Sequence, residues 1–247
     1  MIDATTEPEN QSLPKAQKNN FEEYRKLKQK DFFTAGELED TEVPEQEWYV
    51  EGFIDDEGLD IIAGAPKDTK SLLMQHCSIH IAIERTWLGR KTKEARIIYV
   101  DEENGVRRLK RRQTKIIKGM NLTPEEKSKL RKNLFSSSLK RIGIDSDLGE
   151  KKLRSLIARI NPDLVILDSL VRVLEGKEND VDGAKKLFAN VSKIQTDKTL
   201  TNNFEKPIKF LTIHHVRKLK EGKRLCANDV RGSGDFDPGP GTFSLST

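Results

Sequence analysis

The chain has 247 residues, 34% of them charged and 35% hydrophobic, with a formal net charge of +4. That length suits one sizeable α/β domain with tails, and so small an excess of base does not by itself announce a nucleic-acid binder. Two cysteines, Cys77 and Cys226, exclude a disulfide framework or a zinc spacing, and no apolar run reaches the length that spans a bilayer. The polar, acidic N-terminus does not read as a signal peptide, so the expected setting is cytoplasmic, reducing and away from membranes.

Residues 1–33 are polar and charged and are expected to form a flexible N-terminal arm, with a short helix near Phe21 to Lys28. A domain is expected over 34–236, followed by a Gly/Pro-rich and possibly truncated tail over 237–247. Phe32, Phe33, Leu38, Trp48, Val50, Phe53 and Ile54 are scattered apolar anchors of a lead-in that packs on the domain edge.

Strands and helices then alternate. The strand Leu59 to Ala63 leads into a helix from Ser71 to about Glu84. The strand Arg96 to Asp101 leads into a very basic helix from about Val106 to Gly119. Thr123 and Pro124 open the next helix as cap and first residue. A short strand near Leu134 to Ser137 follows, then a helix near Leu148 to Ile160 and the strand Leu164 to Leu167. A polar loop, Glu175 to Asp182, leads to a helix near Ala184 to Ile194 and the strand Lys209 to Ile213. Such alternation implies an α/β fold: a mostly parallel, twisted sheet with helices on both faces.

The stretch that carries most chemistry is Gly64, Ala65, Pro66, Lys67, Asp68, Thr69, Lys70, Ser71 and Leu72. It lies between an apolar strand and an apolar helix, where backbone N–H groups and the positive helix end can cradle a phosphate. Lys70 would reach the outer phosphates and Ser71 would ligate magnesium. The spacing matches G-x-x-x-x-G-K-[ST] except at Thr69, which stands in the place of a glycine. A side chain there crowds the phosphate approach, and a β-branched residue disfavours positive φ. A chance Gly…Lys-Ser turn, or a loop that has lost its nucleotide, is the alternative.

Open parallel sheets bind ligands beyond the carboxyl ends of their strands, and four apolar strands stop there in polar residues. Asp168 ends Leu-Val-Ile-Leu-Asp-Ser and is either a magnesium-holding aspartate or a turn cap. Glu103 is the candidate base that orients water, with Glu102 and Asp101 competing; the cluster also suits the start of a basic helix. His215 is either a sensor of the terminal phosphate or a packed histidine. Adjacent strand residues point to opposite faces, so His214 and His215 do not suit one metal. The run after His215 is basic, either a solvated face or a contact for a nucleic-acid backbone. Arg231, flanked by Val230 and Gly232, is either an arginine presented to a neighbouring subunit or a structural ion-pair residue.

Taken in order, "GAPKDTKS", "IIYVDEEN", "LVILDS", "IHHVRK" and "VRGSGDF" resemble the RecA-like, AAA-ATPase-like P-loop proteins of the plasmid RepA-type replicative helicase group, with DnaB-type helicases more distant. The resemblance spans about residues 34–236. It implies a RecA-like core that hydrolyses ATP with Mg2+, often as a homo-oligomeric ring of six around single-stranded DNA. On that resemblance Lys70 and Ser71 are phosphate and magnesium ligands, Glu103 the catalytic carboxylate, Asp168 the second-motif aspartate, His215 the sensor and Arg231 the arginine given to the next subunit. The loops around Arg172 to Asp182 and Arg217 to Asn228 then correspond to channel-facing segments. Three functions share this core: a motor coupled to DNA translocation or unwinding in replication, a slow ATP-binding switch, and a recombination-mediator ATPase.

Overall fold

The computed structural model describes residues 24, 26, 27, 30, 32–43, 45–65, 69–173, 181–197, 199, 200, 207–215, 243 and 244. Two compact units follow one another, Met1–Gln46 and Glu47–Thr247. In the first, helix α1 (Ala35–Asp40) starts at a capping box: Glu37 N–H donates to the Thr34 side chain, and the Glu37 carboxylate accepts from Thr34 N–H. This helix was not expected from the lead-in sequence.

The second unit opens with a small antiparallel pair, β1 (Trp48–Val50) and β2 (Ile54–Asp55). The main run is β3 (Leu59–Gly64), α2 (Lys70–Ile83), β4 (Ile97–Asp101), α3 (Val106–Met120), α4 (Pro124–Asn133), β5 (Leu134–Ser138), α5 (Asp147–Ile160), β6 (Leu164–Asp168), α6 (Leu170–Val173), α7 (Val181–Gln195), β7 (Lys209–His215) and β8 (Phe243–Ser244). The sheet order is β5-β4-β6-β7-β3-β8, and every pairing in it is parallel. The chain is thus an α/β protein with a parallel core sheet of five strands, to which β8 adds two residues. From Leu59 onward the expected elements recur with bounds moved by up to three residues; α6, β1, β2 and β8 come in addition, and the helix expected near Phe21 to Lys28 lies mostly outside the described residues.

The central strands β4 and β6 read as apolar runs up to their terminal aspartates because both faces are covered. Ile97 and Tyr99 of β4 join one core with Met74, Cys77 and Ile81 of α2. Ile98 and Val100 join the other with Leu153 and Ile157 of α5 and Leu187, Val191 and Ile194 of α7. Each such aliphatic side chain, fully buried, contributes about 1.5–3 kcal/mol. Helix α2 is apolar over most of its circumference, as its central position requires, and burial pushes the Cys77 thiol up. By contrast α3 buries Leu109 and leaves its basic face to solvent.

Two contacts lock the layers. Lys209, wholly buried, ion-pairs with Asp60 (2.9 Å) and Asp55, tying β7 to β3 and β2. Gly149, in the first turn of α5, lies so close to the backbone of 142–143 that a Cβ would sit 1.9 Å from the carbonyl oxygens of Ile142 and Gly143.

The sheet register brings the strand tips level. Asp101 pairs with Ser138 and Asp168, Asp168 with Ile213, and Gly64 with His215. The polar residues that end β3, β4, β6 and β7 therefore share one edge.

Candidate functional site

The loop after β3 ends at Thr69, the N-cap of α2, with φ +57° and ψ +11°. This is the left-handed region, reached here by a β-branched residue for which it costs about 1–2 kcal/mol. The Thr69 side chain makes no capping bond, so it leaves the first-turn N–H groups of α2 to other acceptors. Residues 66–68 lie outside the described residues; Leu72, expected to touch nucleotide, is 41% exposed.

Lys70 is buried, and its ammonium donates to the carbonyl oxygens of Gly64 (2.8 Å) and Ala65 (2.6 Å). The cation thus sits in the turn that the sequence marked as a phosphate cradle. One residue on, the Ser71 hydroxyl donates to Asp168 Oδ1 at 3.0 Å, which joins the start of α2 to the tip of β6.

Asp168 is fully buried. Burial drives its carboxyl up to about 6, against the lowering effect of donors from Tyr99 (2.6 Å to Oδ2) and Ser71; the charges of Asp101 and Glu103 add to the rise. A hydroxyl and a carboxylate in contact are the hard oxygen donors that magnesium takes. The site therefore fits a Mg2+-nucleotide by its donor set and its buried ammonium.

The three carboxylates at the tip of β4 have separate surroundings. Asp101 Oδ1 accepts from Glu103 N–H, Asn104 N–H and Asn104 Nδ2, closing the turn into α3. Glu102 is buried and accepts from the N–H groups of Lys140 (3.0 Å) and Arg141 (2.8 Å), which holds the segment after β5. Glu103 alone faces the tip of β7: its Oε2 lies 3.5 Å from His215 Nε2. The bond to His215 lowers its carboxyl first, burial opposes, and the charges of His215, Arg172 and Arg112 lower it further, so Glu103 is a carboxylate at neutral pH. His214 is buried, while His215 is half-buried at the edge, as alternation along a strand requires.

Lys70, Ser71, Asp168, Glu103 and His215 therefore line one sheet edge. Arg231 and residues 216–230 lie outside the described residues, as do 174–180; Arg172 is exposed.

A family model described as an AAA domain matches residues 23–221, most of the chain. The chain belongs to this AAA domain family. Membership places it in the P-loop ATPase class, and the parallel sheet agrees with a RecA-like P-loop core. No curated protein matches the chain. Among the described residues of this AAA domain, no helix is long and apolar enough to cross a membrane.

Sequence reasoning passed over Tyr99. Its hydroxyl is the closest donor to Asp168 and stands 3.3 Å from the Ser71 carbonyl, and burial beside Asp168 holds its phenol protonated. The signal was present: a tyrosine within Ile-Ile-Tyr-Val is a buried ring whose hydroxyl needs a partner. Gln75, one turn along α2 from Ser71, is also buried, and among the described residues its side-chain amide makes no hydrogen bond.

Proposed function

We propose that this AAA domain is a magnesium-dependent ATPase whose chemistry runs at the edge shared by β3, β4, β6 and β7. The observation that carries the reading is the convergence there of Lys70, the Ser71–Asp168 pair and the Glu103–His215 pair. Lys70 holds the outer phosphates, exchanging the carbonyls of Gly64 and Ala65 for phosphate oxygens. Ser71 and Asp168 hold the magnesium, which when bound neutralises phosphate charge. Glu103, ionised and next to the histidine, accepts a proton from the attacking water and orients it. His215 pairs in register with Gly64, so a shift of the phosphate turn reaches the residue that touches Glu103. That connection is the basis for giving His215 the sensor role.

We further propose the motor function: turnover in a homo-oligomeric ring, with Arg231 given to the neighbouring site and single-stranded DNA as the ligand that stimulates hydrolysis. What supports it is the order of the motifs and the basic run after β7. ATP turnover measured with and without single-stranded DNA tests it. DNA should raise turnover severalfold, and Lys70→Ala should cut nucleotide affinity at least tenfold, as loss of a charged hydrogen bond worth about 1.5–3 kcal/mol requires. Unchanged affinity in Lys70→Ala would remove the phosphate role of the loop.

One observation favours a slower, switch-like version of the same protein: Thr69 at φ +57°. Under that reading Thr69→Gly raises turnover tenfold or more, about 1.4 kcal/mol of barrier. Unchanged turnover would leave the threonine without a kinetic role.

A further inference from the structure

Helix α3 concentrates the positive charge of the chain. Its 15 residues hold seven arginines and lysines and no aspartate or glutamate, whereas the whole chain has a formal net charge of +4, so the other residues together are net negative. At 3.6 residues per turn, Arg107, Arg108, Arg111, Lys115 and Lys118 fall within an arc of about 100° and along about 16 Å of helix axis. All five are exposed, and among the described residues no carboxylate pairs with them; Arg108 donates instead to the neutral Asn104 side-chain oxygen (3.0 Å). The other solvent-facing helices differ. α4 mixes Glu125 and Glu126 with Arg131 and Lys132, and α5 pairs Glu150 with Arg154 four residues on. α3 is built against its own electrostatics. Arg107 stands in the first turn, at the positive end of the helix dipole, and Arg107/Arg111 and Arg111/Lys115 are like charges one turn apart. A face that serves solubility alone gains from mixed signs, whereas a stripe of one sign suits an anionic partner.

The rest of the helix narrows the choice of partner. Ile116, Ile117 and Met120 pack against Ile79, Ile83 and Leu122, so the apolar side of α3 is taken up inside the domain and is not free to enter a bilayer. α3 also has no aromatic residue on which an unpaired base could stack. What it offers is a straight, rigid row of cations. Duplex DNA carries one charge per about 1.7 Å of its axis, so about ten phosphates lie alongside such a row. We propose that the Arg107–Lys118 stripe of α3 is a docking surface for the phosphate backbone of duplex DNA, without regard to sequence, since phosphate contacts position a protein and read no bases. This surface goes beyond the single-strand contact of the motor reading, uses none of the loops given to that contact, and needs neither hydrolysis nor self-association.

The test titrates the full chain, without nucleotide, into a fluorescent DNA duplex of arbitrary sequence and follows anisotropy at several salt concentrations. The logarithm of the binding constant should fall against the logarithm of salt with a slope of about −4 to −5, as five phosphate contacts require. Arg111→Gln with Lys115→Gln and Lys118→Gln should weaken binding at least tenfold and flatten the slope to about −2. Lys151→Gln with Lys152→Gln and Arg159→Gln removes the same charge from the exposed side of α5 and should leave affinity and slope as in the wild type. ATP binding and far-ultraviolet circular dichroism, unchanged in both variants, show that they are folded. A wild type that does not bind the duplex, an α3 variant that binds it equally well, or an α5 control that loses as much, overturns the surface. So does a stripe that binds phosphatidylserine vesicles in place of the duplex. Stimulation of ATP turnover by single-stranded DNA belongs to the motor reading and should be the same in the α3 variant as in the wild type, so either reading can fail without the other.

Discussion

Asp168→Asn separates what this carboxylate does for the fold from what it does for the site. In the folded chain its carboxyl ionises at about 6, against an ordinary 3.8, because burial disfavours the charge. The unfolded chain therefore loses its proton near 3.8 and the folded chain only near 6. Between those values the folded state holds more protons, so this group's contribution falls as pH rises from about 4 to about 6 and stays reduced above. At about 1.4 kcal/mol per tenfold, the full cost near pH 8 is about 3 kcal/mol. Asparagine carries no charge to bury and keeps an acceptor for Ser71, while the Tyr99 hydroxyl can donate instead to the Ser71 carbonyl, 3.3 Å away. The nucleotide-free variant should match the wild type near pH 4 and exceed it at pH 8 by up to about 3 kcal/mol, roughly 6–12 °C in Tm for a chain of this size. Urea unfolding across that pH range, without nucleotide, measures it. Adding Mg2+-ATP should close most of that gap: at a hundred times Kd the wild type gains about 2.7 kcal/mol and the variant much less. A variant less stable than the wild type at pH 8 without nucleotide would refute the reasoning, because the carboxylate would then be a net support of the fold.

The same ionisation predicts that Mg2+-ATP affinity, read by titration calorimetry, weakens as pH falls below about 6, where Asp168 takes up its proton; a flat profile down to pH 5 would leave Asp168 outside the metal site. Lys209→Ala should cost about 3–5 kcal/mol by urea unfolding, since it strands the Asp55 and Asp60 carboxylates near a buried cation site; a loss under 1 kcal/mol would mean that water reaches them. Gly149→Ala should cost at least about 1–3 kcal/mol, because its methyl has no room above the carbonyls of Ile142 and Gly143; a neutral result would show that α5 can lift off that turn.

The local chemistry of the chain fixed a good deal in advance. Continuous apolar strands ending in carboxylates or histidines, with helix patterns between them, allow little except a parallel sheet covered on both faces. Thr123, Pro124 and Glu126 specify a helix start by hydrogen bonds within four residues, and the structure has that capping box. The Gly64 to Ser71 spacing marked the turn, and the departure at Thr69 marked where the backbone would have to take positive φ.

Other features depend on groups far apart in sequence, and no local pattern encodes them. Asp101, Glu102 and Glu103 are equivalent as letters. Only the fold separates a turn-closing carboxylate, one anchored to 140–141 and one facing His215. Tyr99 became part of the site because β4 and β6 pair in register, so its hydroxyl arrives at Asp168 from 69 residues away. The sheet order, with β7 inserted between β3 and β6, likewise decided that His215 stands beside Gly64. Propensity and spacing act over a few residues, whereas burial, register and the pairing of charges are set by which strands meet.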